Sequence, residues 1–182
     1  RTKEIADAIA PYGVAIAQHG ISGTPLDKVS TFRKYGIRKG NVATLFQNVY
    51  YGIKMDSETG NAIIEDGSYV KEADRGVSTE LWNEIVKEAN DRGMSRKSGD
   101  YKKLNISFCD KILAEPKAII DRTVDEMTWW AERFITAFGA EDSADAVAAV
   151  MSRRTDHNAS PERAVLGKRC YYTADNAPGH GG

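Results

Sequence analysis

Val14-Ala15-Ile16-Ala17-Gln18-His19-Gly20-Ile21-Ser22-Gly23-Thr24-Pro25 begins as an apolar run, passes through polar and glycine-rich residues, and ends on a helix opener. Val14 to Ala17, bounded by Gly13 and the polar Gln18-His19, reads as a buried parallel strand covered on both faces. Thr24-Pro25 then predicts a helix through Tyr35, with Leu26, Val29 and Phe32 on its inner face and Gly36 as its stop. Beyond it comes Gly40-Asn41-Val42-Ala43-Thr44. Asn41 to Leu45 reads as the next strand and Phe46 to Tyr51 as a helix. A strand–helix–strand unit ending in polar groups is how (β/α) barrels build their sites, and phosphate favours the loops after the last two strands. His19 can ligate a metal. Gly20, Ser22 and Gly23 let backbone amides approach an anion closely, and Asn41 and Thr44 add polar side chains at the same end. The unit therefore points to a metal- and phosphate-binding site of which this sequence holds part.

The rest of the sequence sets limits around that unit. Its 182 residues suit one globular unit but are fewer than the roughly 250 of a whole eight-stranded barrel. With a net charge of −1 it has no broad basic field of the kind that binds nucleic acid. No apolar run approaches the roughly 20 residues that span a bilayer, so neither nucleic acid nor membrane is an expected partner. Cys109 and Cys170 make neither a disulfide ladder nor a CxxC knuckle, and a reducing cytoplasm is the expected compartment. Ile5, Ala8 and Ile9 at helical spacing, closed by Pro11-Tyr12-Gly13, predict that the sequence enters mid-fold.

Residues 1–52 form the strand-bearing unit of this reading. Residues 53–77, with Asp56-Ser57-Glu58-Thr59-Gly60 and Glu65-Asp66-Gly67-Ser68 around Ala62-Ile63-Ile64, read as a hairpin or loop excursion. Residues 78–153 read as a helical extension. Ser78 caps a helix to Arg92, another lies within Tyr101 to Leu113, Pro116 opens a long one to Phe138, and Ser143 caps a last one ending near Arg153. Residues 154–182 read as a polar, flexible tail.

Taken singly, the parts of the site have ordinary explanations. A lone histidine at a strand end is usually structural. Gly20-Ile21-Ser22-Gly23 lacks both the Gly-x-Ser-x-Gly of a nucleophile elbow and the spacing of a P-loop. The combination is more specific. His19-Gly20-Ile21-Ser22-Gly23 followed by Gly36-Ile37-Arg38-Lys39-Gly40-Asn41-Val42-Ala43-Thr44 resembles the last two strands of class II, zinc-dependent fructose-bisphosphate aldolases. Their motifs run His-Gly-Gly/Ala-Ser-Gly and Gly-Val/Ile-x-Lys-x-Asn-x-x-Thr. The resemblance implies an α/β fold, the C-terminal part of a (β/α)8 TIM barrel with its last two strands and a helical C-terminal extension. It implies reversible aldol cleavage of a ketose (bis)phosphate such as fructose 1,6-bisphosphate.

Carried over residue by residue, it makes His19 a zinc ligand, with Gly20 and Ser22 on the phosphate of dihydroxyacetone phosphate. Asn41 would lie near the reacting carbons, and Ala43 (by its backbone) and Thr44 would complete the phosphate cradle. The resemblance implies Zn2+ or another divalent metal as the cofactor, with a monovalent cation as a second candidate, and a homo-oligomer. The family places an arginine from a partner subunit on the second phosphate, for which Arg96 in the basic loop is the candidate. Three residues depart from the pattern: Ile21 stands for a small residue, Gly40 for an apolar one, and Ala43 where many members have Asp. Nothing here matches the catalytic Asp or the remaining zinc ligands, which the family carries on earlier strands. Two other readings stay open, a non-catalytic aldolase-like protein and a sugar-phosphate isomerase or epimerase on a similar barrel.

Overall fold

The computed structural model describes residues 1–94 and 98–152. Arg96 and the tail read at 154–182 lie outside the described residues. Helix α1 (Thr2–Ile9) runs into a 3-10 turn at Ala10–Tyr12, and strand β1 (Ile16–Gln18) follows. The helix expected through Tyr35 is cut short: α2 covers only Leu26–Val29 before a 3-10 turn at Phe32–Tyr35. The side chains between them explain the break. Ser30 Oγ donates to the Asp27 carbonyl at 2.6 Å and Thr31 Oγ1 to the Lys28 carbonyl at 2.7 Å, offering the backbone an alternative to regular helix. Gly36 ends the segment with φ 82°, as expected.

Strand β2 is Ile37–Gly40, not Asn41–Leu45. The apolar letters of Val42 to Leu45 suggested a strand, but helix α3 (Thr44–Tyr51) already begins there. The true strand was disguised by the charges of Arg38 and Lys39. β2 pairs in parallel with β1 in the register Ile16 to Ile37, Ala17 to Lys39 and Gln18 to Gly40, with an irregularity between Ile16 and Ala17. The expectation of a strand covered on both faces fails within the described residues: Ala17 and Gln18 are exposed, and Val14 is 54% exposed.

The excursion at 53–77 is an antiparallel hairpin of β3 (Ile64–Glu65) and β4 (Ser68–Tyr69), extended by bridges from Ile53 to Lys71 and from Met55 to Ala62. Then come α4 (Thr79–Asp91), α5 (Ser98–Tyr101), a 3-10 turn at Lys102–Leu104, α6 (Cys109–Leu113), α7 (Lys117–Phe138) and α8 (Ala144–Met151). The single helix expected within Tyr101 to Leu113 is thus broken into short pieces. Ser78 caps α4 by accepting from Leu81 N, as its position predicted. Ser143 does not cap α8 through its side chain; its hydroxyl donates back to the Ala140 carbonyl.

Two apolar clusters hold these elements. One gathers Tyr51, Ile53, Leu81, Trp82, Ile85 and Tyr101 under the hairpin and α4. The other gathers Ile21, Val29, Leu45, Val49, Trp130 and Phe134, and so fastens α7 onto the strand unit. Helix α3 belongs to both, through Leu45 and Val49 on one side and Tyr51 on the other. It is the joint between the strand unit and the helical extension. No described helix is long and apolar enough to cross a membrane.

Candidate functional site

The site forms where both strands end. Asn41 N donates to the Gln18 carbonyl at 3.0 Å and Ile21 N to the Asn41 carbonyl at 3.4 Å, so the parallel ladder continues past the regular strands into the loop. Gly20 and Gly23 hold φ of 64° and 82°, a conformation that side-chain-bearing residues rarely adopt, and a tight turn closes with Thr24 N donating to the Ile21 carbonyl at 2.9 Å. This folding drives Ile21 into the core and leaves His19 and Gly20 exposed.

Two polar contacts tie the loop to the next segment. Asn41 Nδ2 donates to His19 Nδ1 at 2.9 Å. Ser22 Oγ accepts from the backbone amides of Ala43 and Leu45, both at 3.2 Å. Ala43 occupies the N-cap of α3 but has no side-chain oxygen to satisfy the first helical amides. Ser22 supplies that oxygen from the preceding loop. Its hydroxyl proton remains available, because accepting two N–H groups uses only its lone pairs. Thr44 is the first residue of α3 and is exposed beside this cap.

His19, Gly20, Ser22, Asn41, Ala43 and Thr44 therefore share one end of the parallel pair, in two linked groups: His19 with Asn41, and Ser22 with the start of α3. Arg96, proposed for a second phosphate, lies outside the described residues and cannot be placed with them. As a metal centre the site is partial. Among the described residues no group of three His, Cys, Asp or Glu could hold an ion, whereas zinc takes three or four protein ligands. Only one imidazole is offered here, so the described residues do not by themselves fit zinc.

A Cβ at Gly40 would overlap the Phe138 ring and lie 2.8 Å from Ile21 Cδ1. Ile21 and Phe138, the latter from the end of α7, thus fill the space beside Gly40 and leave no room for a side chain there.

Asn61 is a residue that the sequence reading missed. Its carboxamide lies against Gly23, where a Cβ would overlap it. Asn48, buried on α3, donates to the Gly60 carbonyl at 3.2 Å, and Leu45 packs on Gly60. The turn at 56–61 so braces the loop at 20–23 and α3 against each other. Its only signal in the sequence was the turn-forming Asp56-Ser57-Glu58-Thr59-Gly60, which does not name the surface it meets.

A groove of about 580 Å³ runs along β2, floored by Gly40, Val42, Phe46, Phe134, Ile135 and Phe138. Arg33, Arg38 and Lys39 also line it, and they form no ion pair among the described residues, unlike Lys28 and Lys54. No protein-family profile, no curated protein and no solved structure matches the chain.

Proposed function

We propose that these residues are the phosphate-binding corner of a class II aldolase-type (β/α)8 barrel, whose reaction is the reversible aldol cleavage of a ketose (bis)phosphate. The observation that carries this reading is the linked arrangement at one end of a parallel pair: the Asn41–His19 bond beside a Ser22 hydroxyl seated on the amides of Ala43 and Leu45. The barrel reading draws further support from β2. Asn41 turns both its N–H and its carbonyl to the β1 side, so alternation turns those of Gly40 to the open edge. That edge borders the apolar groove, as an edge awaiting another strand would.

In this reading Gly20 and Ser22 offer amides to a phosphate, Thr44 adds a hydroxyl, and the N-terminal end of α3 contributes its dipole. Asn41 holds the His19 ring at Nδ1; with a metal on Nε2 that nitrogen carries the proton, so in the loaded site the Asn41 carboxamide is turned to accept it through its oxygen, and the pair lies towards the reacting carbons. A divalent cation held by His19 together with ligands from outside the described residues would supply Lewis-acid polarisation of the ketose carbonyl. Remote binding of the phosphate orients the carbons that separate.

The test begins with inorganic phosphate titrated into isotope-labelled protein. The amide signals of Gly20, Ser22, Ala43 and Thr44 should move together, and Gly20→Val, which forces a bulky residue to positive φ, should abolish the response. Zinc content and aldol cleavage are then measured with the remaining barrel strands present, with His19→Ala losing both. Phosphate binding without zinc uptake would favour the non-catalytic aldolase-like protein. Phosphate shifts confined to residues elsewhere would sink the reading.

A further inference from the structure

Lys39 lies on the face of β2 that carries Asn41. Side chains alternate along a strand, and three contacts fix which face is which. Asn41 reaches His19 on one side. On the other, Arg38 Nη1 donates to the Arg33 carbonyl at 2.9 Å, and Gly40 faces Phe138 and Ile21. Lys39 and Asn41 therefore share the site face and Gly40 faces α7, while the irregularity in the ladder before Lys39 takes Ile37 out of this alternation and leaves it buried. On β1, Ala17 pairs with Lys39 in register. A small residue beside Lys39 leaves its long side chain free to extend. Lys39 is exposed and has no acidic partner among the described residues.

Reach decides what the ammonium can meet. Two strand residues separate the Cα atoms of Lys39 and Asn41 by roughly 6.6 Å, close to the length of an extended lysine side chain. The ammonium can thus rise to the level of the His19–Asn41 pair. The Gly20–Gly23 turn and the start of α3, where the phosphate sits in the reading above, lie beyond that pair along the strands.

We propose that Lys39 is a substrate-binding cation for the oxygen end of the ligand, facing the charge that develops on the substrate's carbonyl oxygen rather than its phosphate. This rests on the proposed function of the site. Lys39 acts by field and hydrogen bond, the kind of preorganised stabilisation that is strongest for developing charge. The ligand class is a short phosphate monoester with a second, negatively charged oxygen centre two carbons away. Such a compound is 2-phosphoglycolate, whose carboxylate stands in for the charged oxygens of an enediolate.

Affinities of inorganic phosphate and 2-phosphoglycolate are compared by calorimetry for the unaltered protein and for Lys39→Met, Lys39→Gln and Lys39→Arg. Lys39→Met and Lys39→Gln should weaken 2-phosphoglycolate about tenfold, the loss of one charge-assisted bond, and leave phosphate within about twofold. Lys39→Arg should retain most of the preference. An unchanged preference in both neutral variants, with phosphate still bound, overturns the role of Lys39 and leaves the phosphate site standing. Equal weakening of both ligands also overturns it, by placing Lys39 at the phosphate. Failure of the unaltered protein to bind either ligand at Gly20 and Thr44 removes the proposed function itself.

Discussion

Around Trp82 the helical extension closes on the end of α3 and the hairpin: the Tyr51 and Tyr101 rings lie 5.3 and 5.7 Å from the indole, and Ile53, Leu81, Ile85 and Leu104 are buried with them. Along β1 the contrast is complete, with Ala17 and Gln18 exposed and Ile16 only half-buried. A parallel strand pair normally lies inside a layered fold with both faces covered, whereas a helix bundle needs only one buried face per helix. The difference separates what this chain stabilises alone from what it holds ready. The aromatic packing is concentrated around Trp82, while the polar groups that could bind a ligand stand on the strand unit, fastened through α3 and α7.

The comparison is most exposed to failure at Trp82. Trp82→Ala removes the ring shared by Tyr51 and Tyr101 and should cost about 3–5 kcal/mol in urea unfolding. Val14→Ser, on the exposed run before β1, should stay within about 0.5 kcal/mol. Similar losses from the two would show that the strand unit is as tightly packed as the extension.

Next in size is the junction of the two regions. Gly40→Val should cost about 1–3 kcal/mol, because the new side chain meets Phe138 and Ile21 in a filled space. In a Phe138→Ala background most of that penalty should vanish. Strict additivity of the two changes in a double-mutant cycle would mean that Phe138 is not what holds position 40 to glycine.

How much of this was legible in the sequence differs between the same two regions. Helices with a clear stripe and a side-chain or proline start, α4 and α7, lie almost where periodicity put them. The strand unit was legible in its polar ends but not in its bounds. Arg38 and Lys39 hid β2 because charges on an exposed edge strand remove the apolar signal. Val42 to Leu45 imitated a strand because the cap of α3 is not local. A reader looking for Ser, Thr or Asp at position 43 finds alanine, and the oxygen comes instead from Ser22. The same non-locality hid Asn61, whose partner Gly23 is distant in sequence.

That distant cap offers a smaller, sharper test. Ser22→Ala should destabilise the protein by about 1 kcal/mol, the ordinary worth of an N-cap, and should weaken phosphate binding at the same time. Asn61→Ala should leave stability nearly unchanged yet loosen the loop, seen as faster amide hydrogen exchange at residues 20–23. An unchanged exchange rate would show that the turn at 56–61 touches the loop without bracing it.

The finest effect expected is a pH dependence that belongs to the end of α3 and the hairpin packed beside it. Lys71 Nζ donates to the Glu72 carbonyl at 3.0 Å and to the Arg75 carbonyl, in a half-buried position. Burial lowers its pKa from 10.5 to about 8, with Arg122 and Arg75 pushing the same way and Glu115 and Glu72 opposing. Between those values the unfolded chain binds more protons than the folded one, so stability should rise with pH from about 8 towards 10.5. Tyr50 and Tyr51 act in the opposite sense. Burial raises both above the ordinary 10.0, so their contribution is complete below pH 10 and is lost as the pH climbs beyond it. Thermal unfolding should therefore show a shallow maximum near pH 10. Lys71→Met should flatten the rise from pH 8 while leaving the later fall, because it removes the titrating amine but neither phenol. A stability that falls steadily from pH 8 in the unaltered protein would show that the Lys71 ammonium gains more from its two carbonyls than burial costs it.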